Sequence, residues 1–326
     1  MKKLGCLIAA GFVLWMVAMA WFSWGWWGTS EVEEEVAFIV PSGSSLTSVA
    51  EKLEEEGHIA SADAFLLRAK ILGSSDPIKA GEFALVAGAS PATILDTFQH
   101  GTAIAYRITI PEGTPSVIVH DMLMAEDLLT GEIPVPDEGS VLPNTYDFQR
   151  GEERIAVLAR MQRAMDETLA ELWPQRGANT VVSSPEEAVI LASIVEKETG
   201  VPSEREMVAG LYSNRIRQNI WLQADPTIIY PITRGRPLGR PIYQSEIDAI
   251  NDYNTYQMPG LPRGPITNPG RDSIAAVLNP AETDAIFMVA DGTGGHEFNS
   301  TYEAHDEAVD RWRALRAERE AAQDDN

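Results

Sequence analysis

The longest apolar run stands at the start of the chain. After Met1-Lys2-Lys3, residues 4–30 carry no charge, long enough to cross a bilayer as a helix. Trp21, Trp24, Trp26 and Trp27 gather at its far end, as side chains at a membrane interface do. A short acidic connector over 31–36 follows. Beyond it, β-rich runs alternate with amphipathic helical patterns. Phe38-Ile39-Val40-Pro41-Ser42-Gly43 precedes a helix expected over 46–56. Phe83-Ala84-Leu85-Val86-Ala87-Gly88 precedes one over 91–99, and Tyr106-Arg107-Ile108-Thr109-Ile110-Pro111-Glu112-Gly113 one over 116–129. Each unit reads as strand, Gly turn, Ser or Thr near the cap, then helix, and an extra helix is expected over 62–72. Residues 134–139, rich in Pro and acid, read as a domain boundary. Residues 154–172 and 205–218 follow a helical period, the latter with Val208, Leu211, Tyr212 and Ile216 on its apolar side. The stretch 220–270 carries few helical signals and reads as a long ordered loop. A short buried strand over 286–290, a Gly turn, a closing helix over 300–319 and a frayed polar tail over 321–326 complete the pattern.

One helix departs from the amphipathic norm. Ser184 can cap it, Pro185 suits its first position, and Glu187 completes a Ser-x-x-Glu capping box. The apolar residues that follow cover nearly the whole circumference up to residue 198, leaving Ser193 and Lys197 as a polar strip. Such a helix is expected to be buried. Its two late carboxylates are then unusual. Glu196 falls on the wheel between Val189 and Ala192, and Glu198 between Ile194 and Leu191. A carboxyl held among apolar neighbours retains its proton toward neutral pH, the preparation a general acid needs. Both also oppose the helix dipole, which gains no stability.

Charge and composition narrow the partners. The net charge of -23 disfavours nucleic acid or an anionic membrane surface as a partner for the soluble part. The single cysteine, Cys6, excludes an intramolecular disulfide and a cysteine-rich metal site. Lysines before the apolar run and acids after it predict a cytoplasmic N-terminus with the rest of the chain exported. A signal peptide cleaved near Ala18-Met19-Ala20 also exports the functional part. His296, Glu297 and His305 match no zinc spacing, and no dinucleotide or Walker sequence appears, so no metal or cofactor is expected.

Five polar clusters fall in loop settings: Pro143-Asn144-Thr145-Tyr146, Leu222-Gln223-Ala224-Asp225-Pro226-Thr227, Tyr253-Asn254-Thr255-Tyr256, the Gly- and Pro-rich run at 260–270, and Gly295-His296-Glu297-Phe298 with Thr301 and His305. Amide, hydroxyl and aromatic groups on loops suit sugar recognition.

These blocks carry a resemblance. Ala192-Ser193-Ile194-Val195-Glu196-Lys197-Glu198-Thr199 closely resembles the signature of the endolytic murein transglycosylases, the MltG or YceG-like family. The blocks at 222–227, 253–256 and 260–270 look like its further motifs, as do Gly292-x-Gly294-Gly295-His296-x-Phe298 and Pro143-x-Thr145-Tyr146. The likeness runs from the apolar segment to about residue 313. The family's Tyr-Leu-Phe-Pro-Asp-Thr-Tyr reads Ser140-Val141-Leu142-Pro143-Asn144-Thr145-Tyr146 here, and Arg263 replaces a common Pro, which bears on subsite detail.

The resemblance implies an α+β protein. Residues 1–30 form a cytoplasmic N-terminus and transmembrane helix, 36–138 a LysM-like β/α domain, 139–315 a mixed α/β catalytic domain and 316–326 a polar tail. It implies a single-pass protein of the bacterial inner membrane with its catalytic part periplasmic, acting on peptidoglycan glycan strands beside peptidoglycan synthases. The expected reaction is cleavage of the MurNAc–GlcNAc β-1,4 bond within a strand to leave a 1,6-anhydro end. The resemblance maps the catalytic acid onto Glu196. Gln223, Asp225, Thr227, Asn254, Tyr256, His296 and Tyr146 are the substrate-binding candidates. Two alternatives stay open: a hydrolase in which Glu198 or Asp225 activates water, and a glycan-binding scaffold without activity.

Overall fold

A computed structural model describes residues 2–324; the last two positions of the expected polar tail lie outside the described residues. The chain forms two compact units. The first comprises Met1–Arg107, Leu128–Thr130 and Asp147–Glu152, and the second Ile108–Asp127, Gly131–Tyr146 and Glu153–Asn326.

The first unit begins with α1 (Lys2–Trp27), whose stretch Ile8–Trp27 is long and apolar enough to cross a membrane. Then come β1 (Val36–Val40), α2 (Leu46–Glu55), α3 (Ala62–Leu72), β2 (Gly81–Leu85) and α4 (Pro91–His100). β1 and β2 pair antiparallel, with Phe38 opposite Phe83. These two rings meet Phe98 of α4, and Val49, Leu53, Phe65 and Trp26 close the core. Ser45, Ser61 and Ser90 each accept a backbone N–H three residues on, which sets the starts of α2, α3 and α4. Thus β1 and β2 enclose two helices, and the first two expected strand–helix units share one sheet.

β3 (Tyr106–Thr109) pairs with β4 (Thr145–Phe148) in a second two-stranded sheet. In the second unit follow α5 (Ser116–Ala125), α6 (Arg154–Leu172), α7 (Pro185–Glu198), α8 (Arg205–Arg217), α9 (Pro226–Thr233), α10 (Gln244–Ile247), α11 (Arg271–Leu278), β5 (Phe287–Ala290), β6 (His296–Asn299) and α12 (Tyr302–Asp324). β5 and β6 pair antiparallel, with Ala290 opposite His296.

Several expectations shift. The units divide after Arg107, ahead of the boundary expected near 138, and α5 belongs to the second unit. Its first turn is held there: Ser116 N donates to Glu138 Oε1 at 2.8 Å and Asn268 Nδ2 to Ser116 Oγ at 3.0 Å. α5 also stops short of 129: the Arg154 guanidinium collects the carbonyls of Leu123 and Met124 in its last turn and of Glu126 and Gly131 beyond it. The expected loop over 220–270 contains α9, with Pro231 inside it, and the single turn α10. α12 runs past 319 into the expected tail.

α7 lies at the centre of the second core, as its wheel requires. Leu191, Ala192, Ile194 and Val195 are fully buried, against α8 and α11. Ser184 caps α7 through Glu187 N, but the Glu187 carboxylate reaches back to Ser183 N and Oγ, both at 2.7 Å, so the expected reciprocal box is offset by one residue. Ser193 is wholly buried. Its hydroxyl donates to Ile190 O and accepts Ile266 N at 3.1 Å, a hydrogen bond that pins the 260–270 loop to the helix.

Candidate active site

The end of α7 opens into a cavity of about 370 Å³. Glu198, Tyr212 and Arg215 of the adjacent helices line it, with Gln223, Asp225 and Tyr256 from the loops. Glu198 Oε1 is buried with no hydrogen-bond partner, and the Tyr212 hydroxyl beside the carboxyl group favours its charged form. Burial disfavours the charged form, and the negative charge of Asp225 adds to it. Together they outweigh Tyr212 and the Arg215 guanidinium and push the Glu198 carboxyl up to about 7. A carboxyl that changes charge near neutrality can give a proton in one step and take one in the next.

The loop wall is built by hydrogen bonds as well as by the packing of Leu222 and Ala224 into the core. Arg215, itself 8 % exposed, donates to Ile286 O at 2.6 Å, Trp221 O at 3.1 Å and Leu222 O at 2.8 Å. This clamp holds the segment in which Gln223 takes φ 53, a left-handed conformation uncommon for a residue with a Cβ. Gln223 N donates to Thr255 O and Ala224 N to Thr255 Oγ1. Thr227, fully buried, bonds Ala224 O at 2.6 Å and Thr255 Oγ1 at 2.8 Å. Asn254 spends its amide on the carbonyls of Glu246, Ile247 and Ala249, and its oxygen accepts Tyr256 N. Thr227 and Asn254 therefore build the loops and leave no polar atom for a ligand. Asp225 and Tyr256 do face the cavity. The Tyr256 hydroxyl donates to Asp225 Oδ1 at 2.7 Å, and burial with that carboxylate beside it holds the phenol protonated, above its ordinary range.

Glu196, expected among apolar neighbours, is elsewhere. Its Oε2 accepts Gly270 N at 2.9 Å, and Oε1 lies 3.9 Å from the Arg205 guanidinium. Arg205 also binds Glu112 at 2.6 Å and Asp272 at 3.3 Å. Glu196 thus ties α7 to the start of α8 and to the turn before α11. It does not line the cavity that holds Gln223, Asp225 and Tyr256.

The remaining candidates sit apart from that cavity's lining. His296 Nδ1 lies 2.8 Å from Glu204 Oε2, and Thr199, the C-cap of α7, donates to the same oxygen at 3.0 Å. Burial works to raise the Glu204 carboxyl, but these donors outweigh it and hold it below the usual range. Tyr146 donates to Leu142 O at 2.6 Å, and burial pushes its hydroxyl up to about 12. Asn268, from the 260–270 cluster, is wholly buried and joins Val141 N, Thr114 O and Ser116 Oγ. Tyr212 and Arg215 went unmarked in sequence. Their spacing on α8 puts them on one face, but Tyr212 reads there as an ordinary apolar contact.

Residues 38–311 match the YceG-like family. The endolytic murein transglycosylase of Bacillus subtilis (strain 168) is 26% identical over 305 residues, covering 84% of this chain and 83% of that protein. The protein of the same name from Streptococcus pneumoniae serotype 2 (strain D39 / NCTC 7466) is 28% identical over 320 residues, covering 83% of this chain and 57% of its own length. A crystal structure of a yceG-like protein from Listeria monocytogenes superposes with a TM-score of 0.53 at 25% identity, covering 84% of this chain and 98% of that one.

Proposed function

The chain belongs to the YceG-like family, and from that membership and the Glu198 cavity we propose an endolytic murein transglycosylase whose acid is Glu198. The observation that carries the residue assignment is a buried carboxyl with an unpartnered oxygen, raised to about 7, in a cavity walled by polar loops. Glu196 fills a different role in this reading: it anchors α7 through Gly270 and Arg205.

The chemistry needs one carboxyl. Protonated Glu198 donates to the glycosidic oxygen between MurNAc and GlcNAc as the C1–O bond breaks. The carboxylate so formed takes the proton of the muramoyl C6 hydroxyl, whose oxygen closes onto C1. The proton inventory balances, no water enters, and the product carries a 1,6-anhydro end. Asp225 has two parts. Its charge keeps Glu198 protonated, and it faces the positive charge that develops at C1. Tyr212 orients the acid, and Gln223 and Tyr256 hold the sugar.

The nearness of Asp225's charge to Glu198 also supports a second reading, a two-carboxylate hydrolase in which Asp225 activates water. The two readings differ in product. Full-length protein in detergent, incubated with purified murein strands, is expected to yield anhydro-ended fragments by mass spectrometry. Reducing-end fragments in their place would establish the hydrolase.

Other parts of the proposal rest on family likeness and on the fold. α1 is read as the single inner-membrane anchor, with the catalytic unit periplasmic. The two helices enclosed by β1 and β2 are read as a LysM-like module that grips the glycan. Action beside peptidoglycan synthases follows from cutting within a strand near the membrane.

A further inference from the structure

The connection between α1 and the first unit is not a free tether. Val32, within the acidic connector, is 3% exposed; its carbonyl accepts Gly88 N at 2.8 Å, and Ser30 N donates to Ala89 O at 3.1 Å. The last turns of α1 are part of the unit's core. Trp26 packs on Phe65 with ring centroids 5.7 Å apart. One turn on, Arg68 Nε donates to Phe22 O at 3.2 Å, and its guanidinium covers the Trp21 and Phe22 rings.

These contacts fix a direction. From Phe65 to Arg68, α3 advances while its partners on α1 retreat from Trp26 to Phe22. The two helices therefore run antiparallel, and α3 points back toward the apolar body of α1. At 1.5 Å per residue, Ile71 lies about 9 Å beyond Phe65, level with about residue 20 of α1. That level falls inside the apolar stretch Ile8–Trp27.

What α3 displays at that level is apolar. Its buried face is Ala62, Phe65 and Ala69. Leu67 and Ile71, one turn apart on another face, are 52% and 60% exposed. At 100° per residue they flank the Ala64–Arg68 side that meets α1. Trp21 and Trp24 are exposed on α1 at the same level, with the Arg68 guanidinium over the Trp21 ring, and Lys70 is exposed on α3. The acid just past α3, Asp76, is bound by Ser74 Oγ and His100.

We propose that the Leu67–Ile71 edge of α3 seats in the outer face of the bilayer that α1 crosses. The first unit is then held against the lipid at a fixed height and tilt. The inference rests on the reading of α1 as a membrane anchor. An apolar edge, Trp21 and Trp24 at its level, and basic side chains between them are the composition that lies about 5–10 Å into the headgroup and acyl boundary. The bound surface is phospholipid, with Arg68 and Lys70 at the phosphate level.

The test uses the full chain in vesicles of phosphatidylethanolamine and phosphatidylglycerol. Cys6, the sole cysteine, is first removed as Cys6→Ser. Leu67→Cys, Ile71→Cys and, as a control near the other end of α3, Asp63→Cys each carry an environment-sensitive fluorophore. All three positions are exposed, so the fold tolerates the labels. Expected is quenching by nitroxide-labelled lipid and protection from iodide at 67 and 71, with the reverse at 63. Protein that survives a carbonate wash in the vesicles, yet shows iodide quenching at 67 and 71 as at 63, overturns the docking alone. Protein released by the wash overturns the anchor reading and the docking with it.

Discussion

Asp225 and Glu198 line one cavity, and the charge of the first adds to burial in lifting the carboxyl of the second to about 7. Tyr212 pulls the other way, since its hydroxyl favours the ionised form. The pH profile of turnover should report both. Activity that needs protonated Glu198 falls as pH rises through about 7. Asp225→Asn removes a raising charge, so the falling limb moves to lower pH. Tyr212→Phe removes a lowering hydrogen bond, so the limb moves to higher pH. Shifts of the same sign in both variants would contradict this arrangement.

The same ionisation bears on stability. Glu198 titrates near 4.5 when unfolded and near 7 when folded, so the native state holds an extra proton between those values. Stability associated with that proton is fully present below pH 4.5 and is lost as pH rises through 7, a change of about 3 kcal/mol. Glu198→Gln carries no such titration. Urea unfolding across this range should show the variant gaining on the wild type as pH rises. A constant difference would place the ionised carboxylate in a solvated setting.

Much of the fold is legible in sequence because it rests on local period and punctuation. α1, α3, α6 and α7 follow from apolar spacing, Ser caps and Pro185, and the buried circumference of α7 follows from its wheel. α9 and α11 do not show, being eight residues each among Pro and Gly, with Pro231 inside the first. The helical pattern alone does not choose between Glu196 and Glu198, although the resemblance maps the acid onto Glu196. A wheel gives each a direction but cannot say that Gly270 and Arg205 meet one, or that Tyr212 and Asp225 meet the other. Polar motifs mislead in a related way: Thr227 and Asn254 have sugar-binding chemistry, yet their atoms are consumed by the loops they shape.

That consumption is measurable. Thr227→Val leaves Thr255 and Ala224 O short of partners inside the protein, and should cost about 1–3 kcal/mol. Turnover per folded molecule should change little. Gln223→Ala, at an exposed side chain, should leave stability within about 0.5 kcal/mol and raise KM. Denaturant melts and steady-state kinetics on both variants separate loop building from substrate contact.

Gly139 tests the packing that brings Glu138 and Asn268 together. It holds φ 78, and a Cβ there would lie 2.7 Å from Pro265 Cγ and 2.8 Å from Val189 Cγ1. Gly139→Ala combines backbone strain with a clash against α7, and should destabilise by more than about 2 kcal/mol in thermal or urea unfolding.

The central claim is that Glu198, and not its neighbour two residues earlier, is the acid. The direct measurement is the yield of anhydro-ended fragments from murein, by mass spectrometry, for wild type, Glu198→Gln and Glu196→Gln at matched folded concentrations. Glu198→Gln should lose about 10²–10⁴-fold in rate, the usual contribution of a general acid. Glu196→Gln should turn over within a few-fold of wild type while losing about 1–3 kcal/mol of stability through its contacts to Gly270 and Arg205. A folded Glu196→Gln without product, beside an active Glu198→Gln, would return the acid to Glu196.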